Sequence, residues 1–178
     1  MDLGFKGGFD FLGKRYAKQP FKLIWANEIN EAACKTYQRN LGSHIHQGDI
    51  WEMMDSLPKE ADVVIGGFPC QDVSTVGKRA GIAPGTRSGL WAHMAAAIDA
   101  LQPELVVIEN VRGLLRPAFS DYYEYIKLRL GHPEIVANDG ESWGDHYDRL
   151  QSEHTSTRSD LRYKVLPTLV NAADYGVP

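Results

Sequence analysis

The sequence predicts an α/β fold, an open and mostly parallel sheet with helices on both faces. Three observations carry that expectation. Short runs rich in Val, Ile and Leu alternate with longer stretches whose apolar residues recur at helical spacing. Two of the runs, Val63-Val64-Ile65 and Leu105-Val106-Val107-Ile108, are apolar without a break, as in strands covered on both faces. Glycines or acidic residues stand just after the runs, where open α/β sheets hold their ligands.

Taken in order, Asp2–Leu3 reads as the tail of a strand, followed by the glycine turn of Gly4, Gly7 and Gly8. Lys22–Asn27 (KLIWAN) is the next strand, then a helix over Asn30–Asn40 with Asn30 as cap and Gly42 where it stops. A short run, Ser43–Gln47, precedes Gly48-Asp49-Ile50. Asp62–Gly67 (DVVIGG) and Leu105–Asn110 (LVVIEN) are strands, separated by a helix over Gly89–Leu101. A helix over Asp121–Leu130 stops at Gly131, and a last strand covers Arg162–Asn171. Between them, His132–Arg162 is polar, contains the turn signal Asn138–Gly140, and reads as a surface insertion with helical character around Trp143–His154.

At 178 residues the chain suits one domain with a core of its own. No apolar run approaches the about 20 residues of a membrane span, and the first ten residues do not resemble a secretory leader. With only Cys34 and Cys70, the cysteine count argues against a disulfide scaffold, and a reducing, cytoplasmic setting is expected. The net charge of −4 argues against a self-sufficient DNA-binding domain, because phosphate contacts supply most of such a domain's affinity.

Two groups of residues suggest chemistry. Glu28 follows Gly8 by 20 residues, the offset at which nucleotide-binding α/β proteins hold ribose hydroxyls with an acid. Asp49 could accept from an adenine amino group with Ile50 against the ring, or could simply cap a helix starting near Trp51. Together with the glycines these favour an adenosine-containing ligand without naming it. The second group follows the DVVI strand: Gly66-Gly67-Phe68-Pro69-Cys70-Gln71, then a long glycine-broken loop with Ser74, Lys78, Arg79 and Arg87. Basic neighbours favour a thiolate and can also hold phosphates. Cys34, on its helix, reads as a small buried hydrophobe. Glu109-Asn110-Val111 ends the next strand, from which a carboxyl can face the cleft that holds Cys70.

These residues resemble the motif set of the cytosine-C5 DNA methyltransferases. Pro69-Cys70-Gln71 is similar to the family's Pro-Cys-Gln motif and Glu109-Asn110-Val111 to its Glu-Asn-Val motif. Asn27-Glu28 resembles the ribose motif, Gly48-Asp49-Ile50 the adenine motif, and Thr86–Leu90 the motif after the catalytic loop. Asn171–Pro178 resembles the strand and turn that lead into a Gln-x-Arg-x-Arg motif. The resemblance implies a Rossmann-like, S-adenosylmethionine-dependent methyltransferase fold acting on double-stranded DNA, in restriction–modification, with no metal. It makes Cys70 the nucleophile, Glu109 the partner of cytosine N3 and Asn110 a brace, with Gln71 beside them. It assigns cofactor contacts to Gly7, Gly8, Glu28, Ile29, Asp49, Ile50, Pro69, Leu90 and Asn171, and DNA contacts to Ser74, Lys78, Arg79 and Arg87.

Two departures bear on function. Phe5 stands where the family has glycine, and a residue with a Cβ enters positive φ only at a cost. The sequence stops at Pro178, ahead of the Gln-x-Arg-x-Arg motif and of a target recognition domain. These are expected on a C-terminal part or on a second polypeptide, and the chain alone is expected to bind DNA weakly and methylate it poorly. A methyltransferase of another substrate would not need Pro-Cys-Gln with Glu-Asn-Val. A thiol hydrolase would want a histidine by Cys70, and His93, the nearest, has no family pattern around it. A catalytically incomplete regulatory subunit is the remaining alternative.

Overall fold

A computed structural model describes residues 1–68, 90–153 and 163–176. The chain forms two compact units, Met1–Gly66 with Ala100–Ile108, and Gly67–Asp99 with Glu109–Pro178.

The first unit holds the strands. A short helix α1 (Asp2–Lys6) leads through Gly7 and Gly8 into an antiparallel hairpin, β1 (Phe9–Phe11) with β2 (Lys14–Tyr16). Strand β3 (Ala26–Glu28) is followed by helix α2 (Glu31–Asn40), strand β4 (Ile45–Gln47) and the one-turn helix α3 (Ile50–Met53). Strands β3 and β4 pair in parallel, as do β5 (Val63–Gly66) and β6 (Leu105–Ile108). Mixed α/β structure with parallel pairing is therefore present, although among the described residues the strands form three separate two-stranded sheets. The unbroken apolar runs produce β5 and β6 within two residues of their expected bounds. Asn30 caps α2, its side chain accepting from Ala33 N at 3.0 Å. On the inner face of α2, Cys34 is 3 % exposed, and its thiol donates to Glu28 O.

Three expectations need correction. Asp2–Leu3 is the start of α1 and not the tail of a strand, so the glycines follow a helix instead of opening one. Tertiary contacts hold α1 in place: the Asp2 carboxylate accepts from Tyr37 OH, and Lys6 Nζ donates to Asn40 O at the far end of α2. Lys22–Trp25 carries no ladder, and the strand begins only at Ala26. Tyr163–Asn171 forms no strand either. Leu166, Leu169 and Val170 are 61–70 % exposed there, so a β-like pattern lies without a ladder partner.

The second unit is helical. Helix α4 (Leu90–Leu101) runs its first ten residues here, joined by α5 (Ser120–Gly131) and α6 (Trp143–Glu153). Trp91, Ala95, Leu114, Tyr122, Tyr125 and Ile126 make the core, with Phe68, Trp143 and Tyr147 packed against it. The aromatic rings meet edge-on, Trp91 to Tyr125 at 5.1 Å and Tyr122 to Trp143 at 5.5 Å, each pair worth about 0.5–1.5 kcal/mol beyond its burial. The helix expected in the polar stretch is α6, and its inner face is buried: Leu150 and His146 are 0 % exposed. His146 Nε2 bonds Ile135 O at 3.1 Å and Nδ1 bonds Tyr125 OH at 2.8 Å. Because a carbonyl can only accept, Nε2 carries the proton and Nδ1 accepts from the tyrosine.

Among the described residues, no helix is long and apolar enough to cross a membrane. No group of three or more His, Cys, Asp or Glu among them could hold a metal ion.

Candidate functional site

The parallel register of β3 and β4 pairs Ala26 with Ile45, Asn27 with His46 and Glu28 with Gln47. Both strands end level, and Glu28 and Gly48-Asp49 leave the pair side by side. Glu28 is half-buried and accepts from Asn30 N at 2.9 Å through one carboxylate oxygen, which fixes the carboxylate at the start of α2. A carboxylate has acceptor positions on both oxygens, so capacity remains for a pair of hydroxyls. Asp49 is exposed and caps α3, Oδ1 accepting from Trp51 N at 2.9 Å. The cap is thus present, and the second oxygen leaves room for a ligand bond as well. Ile29 and Trp51 are 67 % and 66 % exposed beside these two acids, which gives the edge an apolar border. An acid at each strand end with apolar side chains alongside fits the nucleoside half of an adenosyl cofactor.

Gly7 and Gly8 make their described contacts with Leu3 and with the residues at and after the end of β2. Gly7 has φ +60°, and a Cβ on it would lie 2.1 Å from Ala17 O, so no other residue fits. Gly8 also has positive φ, +73°, and its N–H donates to Tyr16 O. Phe5, the departure from the glycine pattern, is helical within α1 and packs edge-on against Phe21 at 5.1 Å. A helix removes the need for positive φ at this position.

In the second unit, Glu109-Asn110 and Gly67-Phe68 follow directly on β6 and β5. Asn110 Nδ2 donates to Phe68 O at 3.1 Å, and Asn110 Oδ1 accepts from Val111 N at 2.8 Å. The Glu109 carboxylate is exposed and turns toward Gly67, where an added Cβ would meet Glu109 O at 3.2 Å and Oε2 at 3.5 Å. Phe68 packs its ring on the aromatic core, and Trp91, one residue after Leu90, is 4 % exposed in the same core. The residues bordering segment 69–89 at both ends are thus tied to one packed cluster.

Pro69, Cys70, Gln71, Ser74, Lys78, Arg79 and Arg87 lie outside the described residues. Leu90 begins α4. Asn171 is exposed and caps the single turn Ala172–Tyr175, its Oδ1 accepting from Ala173 N at 3.2 Å. Two residues gain weight only from the structure. Asn27 joins the two strand ends, and Gly67 leaves space for Glu109; the doubled glycine Gly66-Gly67 at a strand end was the available sequence signal for the second.

A model of the C-5 cytosine-specific DNA methylase family matches residues 4–131 of the chain. The chain belongs to that family. The methylase match includes every described element from β1 to α5. Among similar proteins, the type II methyltransferase M.HpaII of Haemophilus parainfluenzae is 33 % identical over 160 residues, 88 % of this chain and 37 % of the relative. The type II methyltransferase M.BspRI of Lysinibacillus sphaericus is 32 % identical over 160 residues, 89 % of the chain and 30 % of the relative. The type II methyltransferase M.NgoFVII of Neisseria gonorrhoeae is 37 % identical over 94 residues, 52 % of the chain and 25 % of the relative. The methylase chain thus spans between 22 % and 37 % of the length of the relatives it is similar to.

Proposed function

We propose that the protein transfers a methyl group from S-adenosylmethionine to C5 of a cytosine flipped out of double-stranded DNA, with Cys70 as nucleophile. What carries this reading is the adjacency of Glu109-Asn110 to Gly67-Phe68, the residues that lead straight into Pro69-Cys70-Gln71. The names of the bacterial relatives support a role in type II restriction–modification, and the reading places that role in the cytoplasm. The two parallel strand pairs of the first unit support a Rossmann-like arrangement.

Cytosine C5 is a poor nucleophile. Addition of the Cys70 thiolate to C6 forms a C–S bond and pushes electron density to C5. Glu109, holding a proton at N3, offsets the negative charge that this addition places on the ring. Glu28 and Asp49 would hold S-adenosylmethionine, which would supply an electrophilic methyl group, its S–CH₃ bond breaking as C5 forms a C–C bond and S-adenosylhomocysteine being left. Water then takes the C5 proton, and the electron pair of that C–H bond expels the Cys70 thiolate by elimination, which restores the aromatic ring. The base must first leave the duplex, because stacking hides C6. Ser74, Lys78, Arg79 and Arg87 supply phosphate contacts. Glu28 takes the ribose hydroxyls, Asp49 the amino group, Ile29 and Ile50 the faces of the base. Gly7, Gly8, Pro69, Leu90 and Asn171 complete the cofactor contacts.

One observation favours the alternative of a methyltransferase-like regulatory subunit. Helix α1 and the hairpin stand where the family's glycine turn opens a helix. Transfer of radiolabelled methyl from S-adenosylmethionine to unmethylated DNA separates the two, in the protein that carries this chain. Label is expected in 5-methylcytosine, falling to background in Cys70→Ala and roughly 10²-fold or more in Glu109→Gln. Label undiminished in Cys70→Ala, or no label with the unaltered protein, would refute the proposal.

A further inference from the structure

We infer that the side chain of Asn27 is a positioning residue that sets Asp49 against the base of the adenosyl cofactor, and so governs discrimination between adenine and other purines. The inference rests on the cofactor reading of the Glu28–Asp49 edge given above. Asn27 Nδ2 donates to His46 O at 3.1 Å and to Gly48 O at 3.0 Å. Both partners are carbonyl oxygens, so the atom facing them must be the NH₂ of the amide, which has two hydrogens to give. One side chain at the end of β3 thus grips the main chain on either side of Gln47, where β4 ends. The main chain adds a bond of the same kind, Gly48 N to Glu28 O at 3.1 Å.

Gly48 itself has φ +155°, and a Cβ there would meet Met53 Cε at 3.0 Å. The turn from β4 into α3 is therefore tight, and Gly48 brings no side chain of its own to fix its place in it. Its geometry is held from outside, by Asn27 and Glu28. Asp49 is the next residue, and its Oδ1 is already committed to Trp51 N at 2.9 Å. The position of its carboxylate follows from where Gly48 is held and where α3 begins. Loss of the Asn27 donors frees the first of these constraints while leaving Glu28, the ribose acid, on its own bond to Asn30 N. A weakened base contact with a retained ribose contact is the signature of that arrangement.

The test is calorimetric binding of S-adenosylhomocysteine and of its hypoxanthine counterpart, in which a carbonyl oxygen replaces the amino group. The unaltered protein is to be compared with Asn27→Asp, Asn27→Ala and Glu28→Ala. A carboxylate facing an amino group should favour adenine in the unaltered protein. In Asn27→Asp, which puts an acceptor against two carbonyls, affinity for the adenine ligand should fall roughly tenfold with the hypoxanthine ligand little changed, so the ratio moves toward one. Asn27→Ala, which removes the donors without adding repulsion, should move the ratio the same way. Glu28→Ala should weaken both ligands alike. Equal losses for both ligands in the Asn27 variants, an unchanged ratio, or failure of both variants to fold would overturn the inference and leave the cofactor reading standing. No binding of either ligand by the unaltered protein would overturn the cofactor reading, and this inference with it.

Discussion

Replacing Asn110 by alanine probes the link between the strand end that carries Glu109 and the residue that enters the Pro69-Cys70-Gln71 segment. Two bonds go: Nδ2 to Phe68 O at 3.1 Å and Val111 N to Oδ1 at 2.8 Å. The second has an exposed donor that water can satisfy, so its loss costs little. The first leaves the Phe68 carbonyl beside a core-packed ring, and a net loss of about 1–2 kcal/mol is expected from an unmet, partly buried acceptor. In urea, the midpoint should fall with an unchanged slope, because the surface exposed on unfolding stays the same. The second readout is methyl transfer, expected to slow roughly tenfold with unchanged affinity for S-adenosylhomocysteine, since the cofactor acids lie at the ends of other strands. Asn110→Asp identifies the bond responsible. It keeps the acceptor for Val111 N, loses the donor to Phe68 O and adds a charge next to that carbonyl. It should be at least as damaging as alanine. If Asn110→Asp retained full stability and full rate while alanine lost both, the bond to Phe68 would not be what holds the two segments together.

Three further outcomes follow from the same contacts. Gly7→Ala should destabilise the first unit by about 2 kcal/mol or more in urea, because its φ of +60° and a Cβ 2.1 Å from Ala17 O compound each other; Gly13→Ala, with open space around it, should cost less. Burial pushes the His146 imidazole below its usual pKa of 6.5, helped by the nearby Arg149 charge. The unfolded chain then takes up the proton first, so stability from this residue is full above about pH 6.5 and declines below it; urea midpoints across that range should show this slope, reduced in His146→Phe. Arg149 forks onto Glu141 with two 2.8 Å bonds and holds its carboxyl down to about 2. That stability is present above the ordinary carboxyl range and lost as pH falls toward 2, and Arg149→Met should cost about 2 kcal/mol at neutral pH while removing the acid-side loss.

How far the sequence reached can be judged element by element. Strands β5 and β6 were legible because both are apolar throughout, and α2 because Asn30 supplies its own cap. Failures came where a remote contact decides local structure. Nothing near Asp2 or Lys6 announces Tyr37 or Asn40, and those two side-chain bonds hold α1 as a helix. The segment after Tyr163 has the residues of a strand, but a strand exists only with a partner, and it has no ladder here. For the site, motif order singled out Glu28, Asp49 and Glu109 as candidates, and the structure sets each at or just after the end of a strand, where such folds expose side chains. The grip of Asn27 and the space at Gly67 depend on main-chain atoms 19 to 42 residues away, which no local pattern encodes.

The measurement that bears most directly on the central claim is covalent trapping on DNA in which 5-fluorocytosine replaces cytosine. Fluorine at C5 cannot leave as a proton does, so methyl transfer should strand the enzyme on C6 as a denaturant-resistant adduct that requires S-adenosylmethionine. Peptide mapping should find the base on Cys70, and Cys70→Ala should form no adduct. An adduct that persists in Cys70→Ala, or a mapped attachment at any other residue, would contradict the account.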